Sequence, residues 1–154
     1  MSNTNDQQIA VLNGLIETTL DSAFGYREAA SDARKPAFRR LFEGRWLQRK
    51  QATSELQAEV RGLGGTPDED GTKLAAARRI FFDLRNSMAG SDQSIIDEVE
   101  VGEDRIKATF EAALAGEELP LAVKAVVIRV FASVQADHDQ MRDLKHALHA
   151  QAAA

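Results

Sequence analysis

Two arginines stand where a helical chain should bury only apolar groups. From Phe38 to Leu63, the residues Phe38, Leu41, Phe42, Ala52, Leu56, Val60 and Leu63 recur at the spacing of one core-facing helical face. Arg45 and Arg49 interrupt that face near its middle. A guanidinium is almost never buried without a partner, because desolvating it alone is too costly. Either the face opens to water at mid-length, with both arginines snorkelling outward, or an anionic group waits inside the fold. Glu103 is the best-placed inward carboxylate. A guanidinium has five donors in one plane and can hold a carboxylate bidentately, so it can stand in for a cation. The expected arrangement is a buried polar network of Arg45, Arg49, Glu103, His138 and Tyr26.

The competing chemistry is a metal site. A di-metal centre in a helical bundle takes a carboxylate from each of two helices and a Glu-x-x-His pair from each of the other two. Hard and borderline ligands of this kind suit iron or manganese. Where one such pair would fall, this chain reads Gln135-Ala136-Asp137-His138. The matching region of the second helix reads Arg45-Trp46-Leu47-Gln48-Arg49-Lys50-Gln51-Ala52, with neither carboxylate nor histidine. A complete di-iron centre is therefore not expected. What remains is a reduced, single-metal site around Glu103 and His138, with Glu17 reaching it only from the flank. No nucleophile constellation is visible, and Gly62-Leu63-Gly64-Gly65 follows a helix, so it reads as a C-terminal stop and not as a phosphate loop.

These residues need long helices to bring them together. Periodicity predicts four main helices: about Gln7–Ser31, Pro36–Gly62, Asp92–Gly116, and from Leu119 and Pro120 to about His149. The first has the face Ile9, Leu12, Ile16, Thr19, Ala23 and Ala30. The third has Ile95, Val99, Gly102, Ile106, Phe110 and Ala113 around Glu103. The fourth has Val123, Val127, Val130, Val134, Met141 and Leu148, with His138 on one shoulder. A shorter helix from about Gly71 to Met88 rises about 27 Å, enough to return the chain to the end where the second helix began. The third helix then runs parallel to the second. One long mid-chain crossover is the ferritin-like arrangement.

The class is all-α: alternating β-branched patterns are absent, and proline occurs only three times. At 154 residues the chain suits a single domain over 1–154, with a polar N-terminal tail at about 1–6 and a frayed tail at about 150–154. Without cysteine there is no disulfide framework or thiolate metal site. The N-terminal residues lack a signal-peptide pattern and no apolar run approaches a membrane span, so a cytoplasmic location is expected. The net charge of −5 speaks against nucleic acid as a partner. A basic stretch, Arg34 to Lys50, leaves a local anion contact as a minor reading. It would complement the acidic third helix if the two were neighbours. Trp46, Phe24 and Phe82 lie off the main stripes, as residues of a homodimer face, or residues packed under the crossover helix, would.

The segments Leu15-Ile16-Glu17-Thr18, Gly25-Tyr26-Arg27-Glu28-Ala29-Ala30, Glu55-Leu56-Gln57-Ala58-Glu59-Val60, Leu63-Gly64-Gly65-Thr66-Pro67, Gly102-Glu103-Asp104 and His138 resemble, in the same order, a bacterial family of ferritin-like four-helix bundles (domain of unknown function 2383). The likeness runs from about Val11 to Leu148. It implies a ferritin-like fold in a small cytoplasmic protein and supplies no activity. Ferritin-like relatives with known chemistry store or oxidise iron or detoxify peroxide; Arg49 and Ala52 depart from their ligand pattern. The expected function is a non-enzymatic structural or interaction protein, stress-related and self-associating as a homo-oligomer, a dimer, with no cofactor. The alternative is a metal-binding protein using iron or manganese at Glu103 and His138.

Overall fold

The computed structural model describes residues 2–71 and 91–153. Four helices account for nearly all of them: α1 (Ser2–Asp32), α2 (Pro36–Gly62), α3 (Asp92–Ala115) and α4 (Leu121–Ala153). No strand occurs among the described residues.

The boundaries follow local chemistry. Pro36 opens α2, where its missing N–H costs no intrahelical bond. At the other end of α2, Gly64 takes φ +81°, and the Gly65 and Gly64 amides donate to the Val60 and Arg61 carbonyls. That is a Schellman cap, and it needs glycine in the left-handed position. The Ser91 hydroxyl caps α3 by accepting from the Ser94 amide at 3.1 Å. Two helices run further than periodicity predicts. α1 begins at Ser2 and not at about Gln7, and α4 continues to Ala153. Thr4 to Gln7 and Gln151 to Ala153 are exposed, so these turns carry no apolar face for a periodicity argument to detect.

Long-range contacts set the direction of each helix. Asp92 accepts the backbone amides of Arg34 (2.6 Å) and Lys35 (3.0 Å), which joins the start of α3 to the α1–α2 turn. At the opposite end, the Asn13 side chain accepts from the Asp68 amide and donates to the Thr66 carbonyl. His149, late in α4, meets Asp97, early in α3. Hence α2 and α3 start at the same end and run parallel, and α1 and α4 run the other way. The end of α2 and the start of α3 therefore lie at opposite ends of the bundle. The crossover helix expected over 71–88 lies outside the described residues, Gly71 apart, as does Phe82.

α1 packs on α2 and α3, and α4 packs on α3 and α2, so α2 and α3 stand on a diagonal. The basic and acidic helices are thus not packed neighbours, and only their inward-pointing charges meet. The interior divides into two apolar clusters. One gathers Leu12, Leu15, Ile16, Leu56, Val60, Ile106, Phe110 and the valines of α4. The other, toward the α1–α2 turn, gathers Tyr26, Ala29, Phe42, Ile95, Ile96, Val99 and Met141. Each cluster supplies burial at roughly 25 cal/mol per Å² of apolar surface. Between them lies a polar waist.

Candidate functional site: a polar waist in the bundle

Each of the four helices gives the waist at least one polar side chain. α2 brings Arg45 and Arg49 one turn apart. Arg49 is 1% exposed and Glu103, reaching across the diagonal from α3, is also 1% exposed. Their contact is bidentate: Nη1 donates to Glu103 Oε1 at 2.7 Å and Nη2 to Oε2 at 3.0 Å. Arg49 Nη2 also donates to Asp137 Oδ2 on α4 at 3.2 Å, and Nη1 to the Ser22 hydroxyl on α1. Arg45 completes the group. Its Nε lies 3.1 Å from Asp137 Oδ1, Nη1 donates to the Tyr26 hydroxyl at 3.2 Å, and Nη2 donates to Gln140 Oε1.

Two guanidinium groups therefore face two carboxylates, and the fixed charge of the waist sums to zero when all four are ionised. Tyr26 lies against both cations, with the guanidinium carbons of Arg49 and Arg45 at 5.3 and 5.9 Å from its ring centroid. Such placement over an aromatic face is attractive where water is excluded. The buried hydroxyls beside the waist are satisfied within their own helices: Thr53 donates to the Arg49 carbonyl and Thr19 to the Leu15 carbonyl.

The electrostatics follow from burial. Tyr26 is pushed far above the usual phenol pKa, by burial first and then by the Glu103 charge. Burial alone would lower the Arg49 pKa, but the Glu103 charge and hydrogen bond outweigh it and hold the guanidinium more firmly protonated than usual. The Asp137 carboxyl is raised: burial and the nearby Glu103 charge exceed the pull of Arg45 and Arg49.

The family model described as a domain of unknown function, DUF2383, matches residues 7–116. The chain belongs to that family. No curated protein matches it. The DUF2383 match takes in Tyr26, Arg45, Arg49 and Glu103, whereas α4, with Asp137 and His138, lies beyond it.

Of the five residues expected in a buried network, the structure brings together Tyr26, Arg45, Arg49 and Glu103. His138 is elsewhere. It is buried on the α3–α4 seam, with Nε2 2.6 Å from Asp104 Oδ1 and Nδ1 3.2 Å from Asp139 Oδ1. One step along a helix turns a side chain by about 100°, which separates His138 from Asp137 and Asp104 from Glu103. Burial would lower the His138 pKa, but hydrogen bonds to the two aspartates raise it above the ordinary imidazole value. Glu17 is half-buried on α1, its backbone beside Gly71. Glu103, His138 and Glu17 therefore do not converge. The group of metal-ligating side chains that does converge among the described residues is Glu100, Asp104 and His138.

Sequence reasoning missed Asp137, Ser22 and Gln140. The signal for Asp137 is visible in retrospect: Val134, Asp137 and Met141 are three and four residues apart, which puts the carboxylate on the core stripe itself. Ser22 sits between Thr19 and Tyr26 in the same way.

The basic stretch also divides. Arg45 and Arg49 turn inward, whereas Arg34, Lys35, Arg39, Arg40 and Lys50 stay exposed. Trp46 is half-buried with Arg27 and Lys50 over its ring at 5.8 and 5.3 Å, and Phe24 is half-buried. No helix among the described residues is long and apolar enough to cross a membrane.

Proposed function

We propose that this chain is a ferritin-like bundle whose core has exchanged a di-metal centre for a guanidinium–carboxylate cluster, and that it acts as a non-enzymatic structural or interaction protein. The observation that carries the reading is the commitment of the inward carboxylates. Both oxygens of Glu103 accept from Arg49, and Asp137 is shared between Arg45 and Arg49. A bridging di-metal site needs those oxygens free, and two guanidinium cations at the same level would repel the ions. The residues of the waist do not fit iron or manganese, and no redox step is assigned to them. The parallel run of α2 and α3 supports the ferritin-like topology.

The polar waist then serves register. A bidentate, fully partnered pair across a diagonal is satisfied in one alignment of the helices only, which specifies structure more than it adds stability. Leu47 (61% exposed), Leu121 (87%) and Ile128 (52%) give a self-associating protein apolar surface outside the core. A cytoplasmic homodimer is the assembly we assign.

Aerobic addition of ferrous iron to chelator-treated protein tests this, with stoichiometry and oxidation rate as the readouts beside light-scattering mass. The expected result is no Glu103-dependent oxidation above the buffer rate and a mass of two chains. Two irons per chain, lost on Glu103→Ala, would return the protein to the oxidase class.

A further inference from the structure

One residue round α3 and α4 from the waist lies a second polar constellation, which the proposed function does not use. Glu100 and Asp104 are one turn apart on α3 and share a face. His138 approaches from α4. One ligand atom from each of the three can be chosen so that all lie within 4.8 Å of one another. Donors around a common ion at about 2.1 Å stand up to about 4.2 Å apart, so small side-chain movements close the set.

The imidazole is already oriented for such a role. Its Nε2 points at Asp104, and its Nδ1 is held by the neighbouring Asp139 carboxylate. A carboxylate on the remote ring nitrogen fixes the tautomer that leaves Nε2 free to bind, the usual outer support of a metal-bound histidine. The ring is buried, and Asp104 and Asp139 lie toward solvent, so an ion can enter. A cation also occupies the edge of the group now: the Lys145 ammonium lies 3.3 Å from Glu100 Oε2.

We propose that Glu100, Asp104 and His138 bind one divalent first-row transition-metal ion across the α3–α4 seam, with water completing the coordination. One imidazole and two carboxylates are a borderline-to-hard donor set, suited to zinc, manganese or ferrous iron. On binding, Nε2 gives up its proton to solvent, Nδ1–H stays on Asp139, and the ammonium of Lys145 is displaced. The ion ties α3 to α4 and is independent of the core cluster, since none of its ligands belongs to the waist.

Calorimetric titration of the chelator-treated full chain with zinc tests the site. His149 offers a control: it pairs with Asp97 on the same seam at 2.9 Å, and among the described residues no third metal-ligating side chain joins that pair. One zinc per chain is expected, weakened roughly tenfold or more in both His138→Gln and Glu100→Gln and unchanged in His149→Gln. Circular dichroism of each variant verifies that it is folded. The unsubstituted chain should also gain thermal stability with added zinc, because the ion binds only the folded form. Absence of saturable binding, binding that survives either of the first two substitutions, or binding that requires His149 would overturn the proposal.

Discussion

Glu103 and Asp104 are adjacent in sequence, as are Asp137 and His138, yet each pair is split between two environments. Glu103 and Asp137 turn inward to guanidinium partners, while Asp104 and His138 turn to a seam that water reaches. The side-chain exposures mark the contrast: 1% for Glu103 and 57% for Asp104. In the waist, charge is fully partnered and water is excluded, so removing one member strands the other. On the seam, Asp104 and Asp139 have solvent as an alternative partner. The same residue types therefore carry the proposed register lock in one place and the proposed ion site in the other.

The comparison is broken most sharply at Glu103. Glu103→Gln leaves Arg49 buried without its bidentate partner and should destabilise by about 3–5 kcal/mol, read as a lower urea midpoint with little change of slope. A loss under 1 kcal/mol, by the same kind of measurement, would mean that Arg49 reaches water. Asp137→Asn should cost less, about 1–3 kcal/mol, because Asp137 is more exposed and its carboxyl is already raised by burial. Equal losses at the two positions would remove the ranking.

On the seam, His138→Gln in the presence of a chelator should cost no more than about 1 kcal/mol. The sign of its pH dependence is set by the raised imidazole pKa. Protonated His138 is favoured in the folded state, so its contribution is full below the unfolded value of 6.5 and is lost as pH rises through the folded value. The gap in stability between the unsubstituted chain and the variant should narrow from pH 6 to pH 9. A gap that widens would reverse the assignment. Smallest of all is the exposed pair of Arg129 and Glu55 at 3.1 Å: Arg129→Ala should shift stability by about 0–1 kcal/mol.

Much of the fold was legible because its punctuation is chemical. Pro36, the Gly62-to-Gly65 run and Ser91 mark helix ends by mechanisms that do not depend on tertiary context. The direction of α3 was legible from the length of the connection. The waist was legible in part, since Arg45, Arg49 and Glu103 interrupt apolar stripes and an interruption asks for a partner. His138 was misplaced because the Glu-x-x-His template draws attention to the histidine, although Asp137 is the residue in phase with Val134 and Met141. A stripe carries angular information and a motif does not. Gln140 left no such signal: whether an amide at the edge of a stripe points in or out is decided by packing.

Arg49 and Glu103 are partners across the core. A double-mutant cycle tests this directly, with urea unfolding of Arg49→Met, Glu103→Leu and the combined variant. The combined variant is expected to lose less than the two single losses added together, with a coupling of about 2–3 kcal/mol, since replacing both charges removes the stranded partner. Losses that simply add would show that the two side chains do not meet, and that the waist is not a pair-wise lock.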